Sequence, residues 1–164
     1  MKILDNKQIN QKVRRLAYQI YESNPKVKNL VFLGINNNGL AFAKLLKSEF
    51  DHISGLDSTL GGIKLDASNP VGSEVELLLE KTNLKSKHLI VVDDVANTGR
   101  TLFYSMKPLL DYLPKKIEVA VLVDRKHKSF PIAVDYVGLS LATTLKENIL
   151  VDIKKEKSKA AFLE

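Results

Sequence analysis

Two adjacent carboxylates, Asp93 and Asp94, close the apolar run Leu89-Ile90-Val91-Val92 and lead into Val95-Ala96-Asn97-Thr98-Gly99-Arg100-Thr101. An apolar run of that length bounded by turn residues reads as a strand buried on both faces. The segment from Thr101 to Tyr112 is amphipathic, so the small and hydroxyl residues before it form a strand-to-helix loop. Main-chain N–H groups from Ala96 to Thr101 at a helix N-terminus make an anion site. Thr98 and Thr101 add hydroxyl donors, and Gly99 lets backbone approach a ligand closely. Two neighbouring acids repel a bare phosphate, but ionised carboxylates accept hydrogen bonds from vicinal hydroxyls well. The combination asks for a ligand with both groups, a ribose 5-phosphate. An Asp-Asp strand end also suits a phospho-acceptor pair or a solvated strand terminus, but neither requires a Thr-Gly-Arg-Thr loop.

The elements that must position this stretch follow from pattern. Asp5-Asn6-Lys7-Gln8 reads as a capping box, with Ile9, Val13, Leu16, Ala17, Ile20 and Tyr21 at helical spacing, so a helix is expected over 6–22. Asn24-Pro25 stops it. Leu30 to Ile35 is a buried strand, Asn36-Asn37-Asn38-Gly39 a loop, and Leu40 to Phe50 a second helix. Short strands are expected at 53–56 and 62–65, and a second capping box, Ser73 to Glu76, opens a short helix to about Lys81. The 101–113 segment is helical with a kink at Pro108. Strands follow at 117–123, ending in Asp124-Arg125, at 134–139 and at 149–153. Alternating strands and helices give a three-layer α/β fold with a mainly parallel sheet, whose ligands sit outside the carboxyl ends of its strands.

With 164 residues, 45% of them hydrophobic and 27% charged, residues 1–164 are expected to form one domain with a full core. No apolar run approaches the roughly 20 residues that cross a bilayer, so no membrane partner is expected. Met1 to Asp5 lacks a signal-peptide core, and a cytoplasmic location is expected. The absence of cysteine excludes disulfides, thiolate catalysis and cysteine zinc sites. The net charge of +6 suits an anionic substrate and is compatible with RNA, although lysine excess also serves solubility. Arginine occurs only at 14, 15, 100 and 125, and Lys154, Lys155, Lys157 and Lys159 read as a solvated end.

The Asp93–Thr101 stretch resembles the signature loop of type I phosphoribosyltransferases, which grips 5-phosphoribosyl-1-diphosphate (PRPP). The likeness extends along most of the chain. Ile3-Leu4-Asp5 with Arg15-Leu16-Ala17, Leu33-Gly34-Ile35 before Gly39-Leu40-Ala41, Leu122-Val123-Asp124-Arg125, His127, Pro131-Ile132 and Asp135-Tyr136-Val137-Gly138 are similar to segments of the pyrimidine operon regulator and uracil phosphoribosyltransferase family. The resemblance implies the type I phosphoribosyltransferase fold with a short hood region, placed at about 51–86. It implies transfer of the phosphoribosyl group of PRPP to a nucleobase with release of diphosphate, assisted by Mg²⁺, in a homodimer. The alternative it carries is a catalytically weak PRPP- or nucleotide-sensing regulator of pyrimidine genes that binds RNA.

By the same resemblance, Asp93 and Asp94 are the catalytic carboxylates, holding the ribose hydroxyls directly or through metal-bound water. Val95, Ala96, Asn97, Thr98, Gly99, Arg100 and Thr101 take the 5-phosphate, and Ile35, Asn36, Asn37, Asn38 and Gly39 the diphosphate. Asp124, Arg125 and Val137 are base-pocket candidates, with a structural Asp124–Arg125 ion pair as the competing role. Arg15 matches a basic position used for RNA in regulator members, whereas exposure is the ordinary state of Arg14 and Arg15 on a helix. His127 reads as a surface residue and Tyr136 as core. Three departures stand out. Asn36-Asn37-Asn38 replaces a basic residue of the diphosphate loop, Gly61-Gly62 stands where the hood loop carries an arginine, and Leu139 replaces a lysine. Leaving-group stabilisation is therefore altered. Lys64 is the nearest basic candidate to compensate, and an arginine at position 38 is expected to raise the rate.

Overall fold

The computed structural model describes residues 1–79, 84–144 and 146–164. Strand β1 (Lys2–Leu4) leads into helix α1 (Asn6–Ser23), then β2 (Leu30–Ile35) and helix α2 (Asn36–Ser54). Strands β3 (Thr59–Lys64), β4 (Glu76–Leu78) and β5 (His88–Ala96) precede helix α3 (Arg100–Ser105) and a 3-10 turn over Lys107–Asp111. The chain ends with β6 (Lys116–Arg125), β7 (Tyr136–Leu141), β8 (Ile149–Asp152) and β9 (Ala160–Leu163).

Six strands form the main sheet in the order β4-β3-β2-β5-β6-β7. All neighbours are parallel except β3 and β4. Strand β5 is interior, between β2 and β6, as its uninterrupted apolar run requires. Its two faces serve two cores. Ile90 and Val92 pack with α1 and α2 residues such as Leu16, Phe42 and Leu46, while Leu89 and Val91 pack with Leu102 of α3 and Leu109 of the 3-10 turn. The result is the expected three-layer α/β arrangement with a mainly parallel sheet.

The first capping box is formed as read. Asp5 Oδ1 accepts from Gln8 N at 2.8 Å and Gln8 Oε1 accepts from Asp5 N at 2.9 Å, and Ile9, Val13, Leu16, Ala17 and Ile20 are buried. The second is not. Residues 76–78 form β4, which pairs antiparallel with β3, and the expected helix ends in residues 80 and 81, outside the described set. Val75 and Leu77 alternate towards the α3-side core, a two-residue period that suits a strand edge and not a helix. Ile53 and Ser54, expected in a strand, are the last turn of α2, closed by Gly55 at φ 70°. Pro108 ends α3 early and converts the continuation into the 3-10 turn.

The span expected as a hood, 51–86, has its own course. Residues 51–64 and 76–78 supply the end of α2 and two main-sheet strands. A second, antiparallel sheet is instead built from the two ends of the chain, in the order β1-β9-β8. Lys159, read as solvated, is buried beside β9, with Nζ donating to the Glu156 carbonyl at 2.5 Å.

Candidate functional site

The parallel register brings three segments to one sheet edge. Gly34 on β2 pairs with Val92 on β5, and Ala96 on β5 pairs with Asp124 on β6. The first turn of α2, the Asp93–Thr101 stretch and Asp124-Arg125 therefore meet at the carboxyl ends of neighbouring strands. Sequence reading set the acids after the strand, but β5 runs through to Ala96, so both lie within it. Extended backbone holds them rigidly.

The two acids differ in environment. Asp93 is 8% exposed and its Oδ1 accepts from Asp94 N at 2.9 Å. Burial, and then the neighbouring Asp94 carboxylate, push its carboxyl well above the usual range. Asp94 is half-buried; its Oδ1 accepts from Val95 N at 2.9 Å and its Oδ2 from Asn38 Nδ2 at 2.9 Å. Asp94 is thus the more accessible of the two acids.

Asn36 to Gly39 are not a loop but the first turn of α2, and the three asparagines have separate partners. Asn36 sits at φ 50°, a left-handed conformation that asparagine tolerates, and its Oδ1 accepts from Leu65 N at 3.0 Å. Asn38 Nδ2 also donates to the Val151 carbonyl at 3.2 Å, joining β8 to the site. Asn37 is the exposed one. Gly39 is required by close approach, since a Cβ there would stand 2.7 Å from the Val92 carbonyl oxygen.

Two adjoining cavities result. One, of about 370 Å³, is enclosed by Ala96 to Leu102 with Ala67, Asp93 and Val95. The other, of about 470 Å³, lies between the Asp93-Asp94-Val95 strand end and Asn36-Asn37-Asn38, and is also lined by Ile149 and Lys154. Asp93, Val95, Asn97 and Thr101 border both. Helix α3 has six residues, so its dipole is small, and the anion-binding capacity of the first cavity rests on the loop amides and the threonine hydroxyls. Gly99 takes φ 84°, the left-handed conformation needed to turn the chain into α3. Arg100 donates to the Ala67 carbonyl at 2.8 Å, drawing the 66–69 turn over the loop.

Several supports were invisible in the sequence. The Thr98 carbonyl accepts from Ser129 N at 2.9 Å and Phe130 N at 3.1 Å, and Phe130 packs on Phe103 with ring centroids 5.5 Å apart. Asp124 and Arg125 do not pair with each other. Asp124 binds Lys128 Nζ at 2.5 Å, while the buried Arg125 donates to Thr143 Oγ1 at 2.7 Å, Asn97 Oδ1 at 3.2 Å and the Thr144 carbonyl at 2.8 Å. The His127 ring meets the Thr143 carbonyl at 3.0 Å. Val137 is level with Asp93 across β6, but its side chain packs into the α3-side core. Its carbonyl and that of Gly138 accept from Arg15 at 2.9 and 2.8 Å, so Arg15 fastens α1 to β7, and Arg14 lies 3.6 Å from Glu49. Tyr136 is core, donating to Glu118 at 2.7 Å, with burial as the first cause raising its pKa to about 12. Lys64 lines a different cavity with Asp66, Glu74 and Glu76.

Comparison with known proteins bears on the family and the fold. The family described as phosphoribosyl transferase domain matches residues 1–154. The bifunctional protein PyrR of Macrococcus caseolyticus is 35% identical over 155 residues, covering 91% of this chain and 89% of that protein. The protein of the same name from Haemophilus ducreyi is 35% identical over 159 residues, covering 91% and 87%. Among solved structures, a hypoxanthine-guanine phosphoribosyltransferase from Bacillus anthracis superposes with a TM-score of 0.77 at 21% identity, covering 98% of this chain and 96% of that one. The hypoxanthine phosphoribosyltransferase of Trypanosoma cruzi gives 0.77 at 17%, covering 98% and 95%. At such identities the structural likeness speaks for the fold.

Proposed function

The chain belongs to the phosphoribosyltransferase family, and from that premise we propose that it transfers the 5-phosphoribosyl group of PRPP to a nucleobase and releases diphosphate. One observation carries the reading. The Asp93-Asp94 strand end lies between two adjoining cavities, one lined by the 96–102 loop with its two threonines and the other facing the first turn of α2. A 5-phosphate in the first, ribose hydroxyls on Asp94 and diphosphate in the second place the anomeric carbon over the carboxylates.

In the reaction the bond from C1 of the ribose to diphosphate oxygen breaks, and the diphosphate leaves with the electron pair. A ring nitrogen of the base bonds to C1 and gives up its proton. Positive charge develops on the ribose as the bond opens, and a carboxylate fixed beside it lowers the barrier without rearranging. Asn38 and the Val95 amide hold Asp94 in place for that task. Mg²⁺ fits as part of the incoming substrate, because such an ion is satisfied by one or two carboxylates together with phosphate oxygens and water. Among the described residues no set of three or more His, Asp or Glu side chains forms a metal cage of its own. When bound, the ion would neutralise charge on the departing diphosphate. Incubating the purified protein with PRPP and uracil, hypoxanthine, guanine, xanthine or adenine in turn tests the proposal. Nucleoside monophosphate and diphosphate should appear with at least one base; none with any base overturns it.

A second reading, a PRPP- or nucleotide-sensing RNA-binding regulator, is favoured by the asparagines at 36–38, which retain a ligand nest without a basic side chain. Against it, Arg15 is committed to β7 carbonyls. Specific retention of one transcript over a scrambled RNA supports this reading, whereas salt-sensitive binding of both equally counts against it.

A further inference from the structure

We propose that Lys154, in the segment following β8, is the cation that holds the diphosphate of PRPP, in place of a basic side chain at Asn36-Asn37-Asn38. The inference rests on the phosphoribosyl reading of the site and adds a residue to it.

Three observations lead there. The cavity between the Asp93-Asp94 strand end and the first turn of α2 is lined by Lys154, its only cationic residue among the described ones, and by two acids. A diphosphate entering it meets the Asp94 carboxylate beside Asp93, and that ammonium, turned inward, offsets the repulsion, so the site needs this cation more than an ordinary surface does. The segment is also anchored. The Val151 carbonyl, three residues before Lys154, accepts from Asn38 Nδ2, and the same nitrogen donates to Asp94 Oδ2. Strand β8 is in turn paired to β9 along its whole length. The lysine is therefore carried on a fixed roof over the site, while its exposed side chain is free to reorient. Thirdly, the alternatives are engaged elsewhere. Arg100 donates to the Ala67 carbonyl and Arg125 to Thr143, Asn97 and Thr144, and Lys64 lies among three acids in a neighbouring cavity that shares only Asn36 and Asn37 with this one. A lysine acts here as a compact point charge, which suits a diphosphate whose oxygens rotate on binding.

The test is calorimetry with PRPP and with ribose 5-phosphate, in the same Mg²⁺ buffer, on wild type, Lys154→Ala, Lys154→Arg and Lys64→Ala. Lys154→Ala should weaken PRPP by about tenfold or more, the usual loss for a hydrogen bond to a charged group. Ribose 5-phosphate, which lacks the diphosphate, should change less than about twofold, since its contacts lie in the other cavity. Lys154→Arg should restore most of the PRPP affinity, and Lys64→Ala should weaken PRPP less than Lys154→Ala does; a larger loss at Lys64 overturns the assignment. PRPP binding that survives Lys154→Ala overturns the assignment alone. Equal loss of both ligands also overturns it, because the effect is then on the fold or the ribose phosphate. If wild type binds neither ligand, the phosphoribosyl reading falls and takes this assignment with it.

Discussion

Nδ2 of Asn38 donates to Oδ2 of Asp94 at 2.9 Å, tying the first turn of α2 to the end of β5 across 56 positions of sequence. The same nitrogen reaches the Val151 carbonyl at 3.2 Å, so one amide holds three elements around the site. Asn38→Ala should cost about 1–3 kcal/mol in urea denaturation, the usual penalty for unpairing part-buried polar groups. The sequence expectation that Asn38→Arg speeds turnover meets an opposing argument in this contact. An arginine at 38 would meet Asp94 first and neutralise the acid proposed to steady the ribose. Steady-state kinetics should show a lower kcat for Asn38→Arg than for wild type, and a rise would count against the account.

Gly99 stands at φ 84° with Lys128 Cδ and Ile132 Cβ 3.4 and 3.5 Å from where a Cβ would be. Valine there adds about 1–3 kcal/mol of backbone strain and closes the approach to the loop amides. Titration with ribose 5-phosphate should lose measurable affinity in Gly99→Val, while circular dichroism at room temperature is retained. Unchanged affinity would move the phosphate elsewhere.

Arg125 is a brace for the loop. Replacing it with methionine leaves the Asn97 and Thr143 side-chain oxygens and the Thr144 carbonyl without their donor, at a cost of about 1–3 kcal/mol. Asn97 borders both cavities, so the KM for PRPP should rise more than kcat falls. A variant in which only the KM for the base moves would return Arg125 to the base pocket.

Asp93 makes stability depend on pH in a stated direction. Its folded carboxyl holds a proton more tightly than the unfolded chain does, so between the ordinary carboxylate value and the raised one the native state binds more protons. The penalty is absent below the ordinary value of 3.8, grows as pH rises above it, and levels off beyond the raised folded value. Asp93→Asn carries no such penalty. Thermal melts across pH should therefore show the variant gaining on wild type as pH rises from acid to neutral; a constant gap would refute the burial argument.

Local pattern was sufficient wherever a segment carried its own instructions. The capping box at Asp5 and Gln8 closes α1 because its donors and acceptors lie three residues apart, and the Leu89–Val92 run is interior because nothing polar interrupts it. The loop from Ala96 to Thr101 surrounds a cavity, as its small and hydroxyl residues require. Where partners are distant in sequence, only folding could choose them. Ser73 to Glu76 spells the same capping pattern, yet the segment 76–78 becomes β4 because the free edge of β3 offers hydrogen bonds and a core for Leu77. Strands β1, β9 and β8 form a sheet between chain ends more than 150 residues apart, with Lys2 paired to Phe162, and no local period announces that. The same closure buries Lys159 and brings Lys154 to the site. Arg15 and Arg125 looked like surface or pocket charges until β7 and the Thr143–Thr144 loop supplied their acceptors. Residue types and spacing determine which chemistry a strand end can perform; which side chains converge on it depends on sheet order and closure, set by the packing of the whole chain.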